Sequence, residues 1–259
     1  LMEYDVIQLS IVNNIATLIL NRPSVKNALN VQMRAEITHA VKAAESAARV
    51  LVISGAGDVF CSGQDLGDRG NVANLDLERT LRDEYVPMLK AILDCKIPTI
   101  CAVHGAAAGA GANLALTADV VIAAEEAYFI QAFTKIGLIP DAGGTYWLPR
   151  QMGAAKAMGA ALFGDKITGR QAADWGMIYE AVPLRDFETH IASRALHLAT
   201  GPTAAYQRVK TAMRGSFENT LDQQLATEAR FQGECGKTRD FQEGVLAFLE
   251  KRPANYEGR

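Results

Sequence analysis

The sequence predicts an α/β layered fold with crossover connections, followed by a helical C-terminal part. Two observations carry this: up to Pro140 short apolar bursts alternate with helical periodicities, and beyond it helical patterns dominate with no Pro- or Ser-rich linker between. Taken in order, Ile7, Leu9 and Ile11 alternate before Asn13-Asn14 and Ile15, Thr17 and Ile19 after it, which is a hairpin pattern. Over 30–48, Val31, Ile37, Val41 and Ala44 recur at near-helical intervals and run into an apolar strand at 50–53. A Gly/Asp-rich loop at 55–70 leads to a helix around 81–93 that Pro87 kinks or interrupts, a strand at 99–103, a helix opening near Gly109 and a strand at 119–123. The later helices are predicted at 144–153, 155–163, 169–175, 187–199, 203–214 and, as one long element, 221–249. This gives one α/β core over 1–199 and a helical region over 200–259, of the kind that often packs on a neighbouring subunit.

Composition removes several function classes. Hydrophobic residues make up 49% and charged ones 21%, which suits an ordinary globular domain with a sizeable core. With 26 basic against 29 acidic residues the formal charge is −3, so there is no bulk electrostatic reason to expect a nucleic acid or an anionic membrane as partner. Cys61, Cys95, Cys101 and Cys235 form neither a CxxC pair nor a disulfide framework, and a reducing, cytoplasmic compartment is expected. Leu1-Met2-Glu3-Tyr4-Asp5 shows no basic segment leading into an apolar one, so no secretory signal or transit peptide is expected. Residues 97–118 carry no formal charge, but Ala, Gly, Pro98, His104 and Asn113 make them a buried strand and helix rather than a membrane span.

Three segments could carry chemistry. In Phe60-Cys61-Ser62-Gly63-Gln64-Asp65-Leu66, a Gly that turns the backbone sharply leaves the next N–H groups free to face a ligand; an ordinary loop with Asp65 as a cap is the plainer alternative. In 105–114, small residues at a helix start either expose orphan N–H groups or simply save space. It is a poor dinucleotide loop, because Leu114 stands where the third Gly of GxGxxG belongs. In Ile139-Pro140-Asp141-Ala142-Gly143-Gly144-Thr145, burial behind an apolar run would raise the Asp141 pKa toward acid/base work, although Asp141 could equally be a helix N-cap. Two backbone N–H sites and one lone carboxylate suit a thioester enolate and a proton transfer. No nucleophilic triad is evident, and His39, His104, His190 and His197 lack metal-ligand spacing, so no metal is expected.

At these residues the chain resembles the crotonase (enoyl-CoA hydratase/isomerase) superfamily along nearly its whole length. The matching pieces are Asn21-Arg22-Pro23 with Asn27-Ala28-Leu29, the 60–66 loop, the 105–116 segment, 139–145, and Phe248-Leu249-Glu250-Lys251-Arg252. The resemblance implies a spiral of ββα units, a C-terminal trimerisation region, a homotrimer or a hexamer of two trimers, and an acyl-CoA thioester substrate with no separate cofactor. It implies an oxyanion hole from the N–H groups of Gln64 and Ala110, with Asp141 at the position where isomerases of the family carry a catalytic Asp. Ala110 replaces a common Gly, which a backbone donor tolerates if its φ is negative. Gly63, Asp65, Leu66 and Ala28 fall in the substrate-binding segments, with Lys26 and Lys251 as cations for the CoA phosphates. The two glutamates with which hydratases activate water fall on Asn113 and Phe133, which implies an isomerase with a drier site, Asn113 orienting rather than reacting. Met88, Leu89, Ile130, Leu138 and Trp147 are further candidates for an apolar acyl pocket or for ordinary core.

Overall fold

In the computed structural model, residues 3–67 and 75–259 are described; Leu1, Met2 and the 68–70 end of the predicted loop lie outside them. Asn13 and Asn14 take φ of 51° and 64°, the twist a two-residue hairpin needs, and join β1 (Ile7–Val12) antiparallel to β2 (Ile15–Leu20). Asn30 accepts a hydrogen bond from Met33 N–H at 2.8 Å and opens α1 (Val31–Ala47), which buries Met33, Ile37, Ala40, Val41 and Ala44.

From there each turn of chain gives one strand to a large sheet and the next to a small one. β3 (Val50–Gly55) is followed by β4 (Val59–Cys61), β5 (Thr99–Val103) by β6 (Ala106–Ala108), and β7 (Val120–Ala124) by β8 (Tyr128–Ile130). β9 (Lys166–Thr168) then joins the small sheet and β10 (Glu180–Val182) the large one. The large sheet runs β1-β2-β3-β5-β7-β10, parallel after the hairpin; the small one runs β4-β6-β8-β9, parallel except at β8–β9. This is the expected α/β spiral of ββα turns. Leu18, Leu51, Ile53, Ile100, Val103 and Ile122 fill its centre with almost no exposure.

The helices are α2 (Leu77–Thr80), α3 (Val86–Leu93), α4 (Ala110–Leu116), α5 (Gly144–Phe163), α6 (Gly169–Asp174), α7 (Leu184–Ala199), α8 (Thr203–Gly215), α9 (Leu221–Cys235) and α10 (Arg239–Glu250). Two differences from the sequence reading, the short strands and the last long helix, have physical causes. The strands β4, β6, β8, β9 and β10 were not expected, and at three residues each they show no period. The helix expected over 221–249 is two helices, because Thr238 breaks it and caps α10 by accepting from Phe241 N–H. The helix around Pro87 breaks into α2, a wide π turn at Leu81–Tyr85, and α3, with Pro87 in the first turn of α3 where its missing N–H is harmless. Gly153, at φ 80° and ψ 157°, kinks α5 where two helices were expected. Lys210 fixes α8 to the core through Cys95 O, Ile97 O and Asp119, which also pairs with Arg214. Among the described residues no helix is long and apolar enough to cross a membrane.

Asn27 ties the entrance of the spiral together. Its fully buried amide donates to Ala56 O (2.9 Å) and Val59 O (2.8 Å) and accepts from Arg22 N–H (2.9 Å). Asn27→Ala strands these backbone groups and places a methyl at a φ of 54°. The expected loss is about 3 kcal/mol of unfolding free energy, read from the shift in urea midpoint at an unchanged slope.

Candidate active site

Parallel pairing in the small sheet brings the chemistry together. β4 pairs with β6 and β6 with β8, so the segments leaving their C-terminal ends emerge side by side: Ser62-Gly63-Gln64, Gly109-Ala110 and Gln131-Ala132-Phe133. Gly63, at φ +97°, turns the first exit so tightly against the second that a β-carbon on it would lie 2.8 Å from Ala108 O and 3.4 Å from Ala110 N. Gly109 takes φ 54° and ψ −127°, a conformation for glycine alone, and starts α4 at Ala110. Ala110 itself is not among the residues with positive φ, so the side chain costs the backbone nothing. Leu29 N–H donates to Gly63 O (2.7 Å) and Asp65 N–H to Leu29 O (3.1 Å), which turns the Gln64 N–H away from Leu29. Ala110 N–H is the first orphan donor of α4. Among the described residues neither N–H donates to another group. Two free main-chain donors beside one another, on neighbouring loops, can both donate to one ligand oxygen.

The Gln64 side chain is held from behind. Its Oε1 accepts from Arg34 Nη1 (3.1 Å) and from Tyr85 OH. Arg34 is 1% exposed, donates also to Leu29 O (2.7 Å) and Glu84 (2.5 Å), and lies over the Tyr85 ring at 4.8 Å. The Asp65 carboxylate is occupied by Arg22 (2.9 Å) and Gly67 N–H (2.9 Å); burial would raise its pKa, but these hydrogen bonds hold it below the usual value. Asp65 and Ala28, whose carbonyl accepts from Arg22, therefore brace the loop in this structure. Gly63 shapes the loop, Leu66 is exposed, and exposed Lys26 sits on it through its carbonyl, which accepts from Ser62 N–H. Lys251 caps α10 at φ 54° and is exposed; among the described residues no hydrogen bond or ion pair joins it to the loops of Gln64 and Ala110. Its neighbour Arg252 is engaged by Glu243 and Glu250.

Asp141 does not cap α5: Gly143 is the N-cap, and Asp141 Oδ1 is buried with no hydrogen-bond partner among the described residues. Burial pushes its pKa up from 3.8 to about 6, against a small opposing effect of its own backbone N–H. A carboxyl whose pKa burial lifts to about 6 is equipped to take and return a proton. Asn113, fully buried, exchanges two hydrogen bonds with the Gln131 amide (3.0 and 2.8 Å) and donates to Asp141 O (2.8 Å). Both its N–H bonds are thus committed, and it fixes the Asp141 backbone from behind rather than presenting its amide to a ligand. Next to Asp141, Ala142 adopts a left-handed φ of 50°, which that backbone bond helps hold. Phe133 is 7% exposed, with its Cζ 3.7 Å from where a Gly109 β-carbon would stand, so its ring walls the approach to Ala110. Met88 is wholly buried in the core, while Leu89, Ile130, Leu138 and Trp147 are half-buried. His39, His104 and His190 bond to Tyr4, Gly57 O and Glu180, away from these residues.

The sequence model of the family described as "Enoyl-CoA hydratase/isomerase" matches residues 10–259. The chain belongs to the enoyl-CoA hydratase/isomerase family. Among curated relatives within it, the chain is 57% identical over 258 residues to the "Probable enoyl-CoA hydratase" of Rhodobacter capsulatus, covering 100% of both. It is 44% identical to the "1,2-epoxyphenylacetyl-CoA isomerase" of Escherichia coli K12, covering 95% of each chain. The crystal structure of an enoyl-CoA hydratase from Polaromonas sp. JS666 superposes with a TM-score of 0.91 at 31% identity, over 97% of this chain and 99% of that one. The protein is therefore an enzyme of the crotonase superfamily.

Within the family frame, the sequence reading named Gln64, Ala110, Asp141, Asn113 and Phe133, and the structure gathers them around the small sheet's strand ends. It did not name Gln131, Tyr85 or Arg34. Arg34 left a signal, a charge beside Met33 on the apolar face of α1, and Gln131 left another, an amide between Ile130 and Ala132. Because the folded Asp141 carboxyl binds its proton more tightly than an unfolded one, the native state loses relative stability as pH rises from about 4 to about 6. Asp141→Asn should therefore raise the melting temperature at pH 7.5, with the gain vanishing below about pH 4.

Proposed function

We propose that the protein is an acyl-CoA isomerase that works with a single carboxylate. The thioester carbonyl accepts from the N–H groups of Gln64 and Ala110, which stabilise the enolate as it forms. Asp141 removes the proton next to the carbonyl and returns it elsewhere on the acyl chain. In a 3-enoyl-CoA, the proton leaves C2, the electrons spread over the dienolate, and return of the proton at C4 gives the 2-enoyl isomer with no net change in atoms. The same proton removal starts the ring expansion of 1,2-epoxyphenylacetyl-CoA to an oxepin, the second substrate class we assign. No cofactor is needed, because coenzyme A belongs to the substrate.

The observation that carries this reading is Asp141 Oδ1, buried and, among the described residues, unpartnered, with a carboxyl pKa of about 6, beside an amide pair where a hydratase of the family carries one of its glutamates. Phe133 at the second glutamate position favours return of the same proton over addition of water. The apolar faces left open on the C-terminal helices, with Phe248 83% and Leu249 72% exposed, support a homotrimer or a hexamer in which residues 200–259 make contacts between subunits. Lys26 and Lys251 supply cations for the CoA phosphates, Leu66 borders the substrate, and a cytoplasmic setting fits four free thiols. The alternative, a hydratase, is favoured by the name of the 57% identical relative.

Spectrophotometric conversion of 3-hexenoyl-CoA to 2-hexenoyl-CoA, run beside hydration of crotonyl-CoA, separates the two. We expect isomerisation without hydration, and a loss of about 10²-fold or more in turnover for folded Asp141→Asn. Hydration at a comparable rate, or near-normal isomerisation by the variant, overturns the single-carboxylate mechanism. Since the ionised form acts as base, kcat/KM should fall as pH drops through about 6 and level off above it.

A further inference from the structure

Arg22 stands at the head of a hydrogen-bond chain that ends at Gln64. Its Nη1 donates to Ala28 O at 2.7 Å. On the opposite side of that peptide, Leu29 N–H donates to Gly63 O at 2.7 Å, and on the opposite side of the next peptide is the Gln64 N–H. A trans peptide is planar, so its C=O and N–H point in opposite directions, and fixing the two carbonyls fixes the two N–H directions. The polarity of the links also agrees. A guanidinium drawing on Ala28 O makes Leu29 N–H a stronger donor, which draws on Gly63 O and strengthens Gln64 N–H in turn.

This aim is needed because Gly63, at φ +97° and without a β-carbon, borders that peptide, and a rotation of the peptide would turn its carbonyl toward the ligand. Arg22 also grips the far side of residue 64. The same Nη1 meets Asp65 Oδ2 at 2.9 Å, with the two side chains only 19% and 16% exposed, and Arg22 N–H is itself held by Asn27 Oδ1 at 2.9 Å. We infer that Arg22 is a positioning residue for the reaction: through two peptide planes it aims and polarises the Gln64 N–H at the thioester oxygen. This rests on the reading of Gln64 N–H as an oxyanion donor.

The test compares wild type, Arg22→Lys and Arg22→Gln with hexanoyl-CoA carrying ¹³C at the thioester carbonyl, an unreactive ligand whose bound C=O stretch is read by isotope-edited infrared spectroscopy. S-hexyl-CoA, a thioether with no carbonyl, reports whether the pocket is intact. In wild type the stretch should fall on binding. In Arg22→Gln most of that fall should disappear while thioether affinity is kept, and isomerase kcat should drop about 10- to 100-fold with little change in KM, less than the 10²–10³-fold of losing a donor outright. Arg22→Lys, which keeps the charge but not the fork, should lie between. An equal carbonyl shift in wild type and Arg22→Gln overturns the role of Arg22 and leaves the oxyanion hole standing, and so does a loss of turnover matched by a loss of thioether binding. No shift in wild type overturns the oxyanion hole and the inference with it.

Discussion

The parallel pairing of β4 with β6 is the contact on which the rest depends. These strands are three residues long, and their value lies in where they end. Their exits are packed so closely that a β-carbon on Gly111 would stand 2.4 Å from Cys61 O, closer than any real side chain sits. Small residues there are what bring two main-chain N–H groups from distant parts of the sequence side by side. The large sheet supplies buried bulk, while the small sheet supplies the geometry.

Around that contact the structure treats its buried polar groups in two opposite ways. Asn27, Asn113, Gln131 and Arg34 are almost fully satisfied, each joining segments remote in sequence. Asp141 Oδ1 has no hydrogen-bond partner among the described residues. A buried group in that state destabilises the fold, and the surrounding amides do not relieve it, since Asn113 bonds only the Asp141 backbone. The surrounding side chains spend their donors on one another and on the backbone, which leaves none directed at the Asp141 Oδ1 among the described residues.

Much of this was legible in the residues. The hairpin at Asn13-Asn14, α1 with its Asn30 cap, β3, β5 and β7 follow from period and turn chemistry that act locally. The loop glycines and Asp141 stood out because each breaks a local pattern. What stayed hidden depends on partners far away in sequence. A three-residue strand such as β8 exists only because β6 lies beside it, and the pairing of Asn113 with Gln131, or of Arg34 with Gln64, joins residues that no local rule connects. The Asp65 carboxylate accepts from Gly67 N–H within its own loop, as a cap does, and also from Arg22, 43 positions earlier, which no local rule gives.

The Asn113–Gln131 pair also bears on how such an enzyme can change its chemistry over generations. A glutamate at 113 would turn a carboxylate oxygen toward the Asp141 carbonyl, where a 2.8 Å hydrogen bond now exists, and would crowd Gly144, whose added β-carbon would already lie 2.4 Å from the Asn113 amide. Gln131 Oε1 would face a carboxylate oxygen where it now accepts an N–H, and the left-handed turn at Ala142 would lose its anchor. Asn113→Glu alone would therefore make a less stable protein. Residue 113 is thus tied to the fold through 131, 141 and 144 together, and a change of its charge has to be matched by changes at those positions.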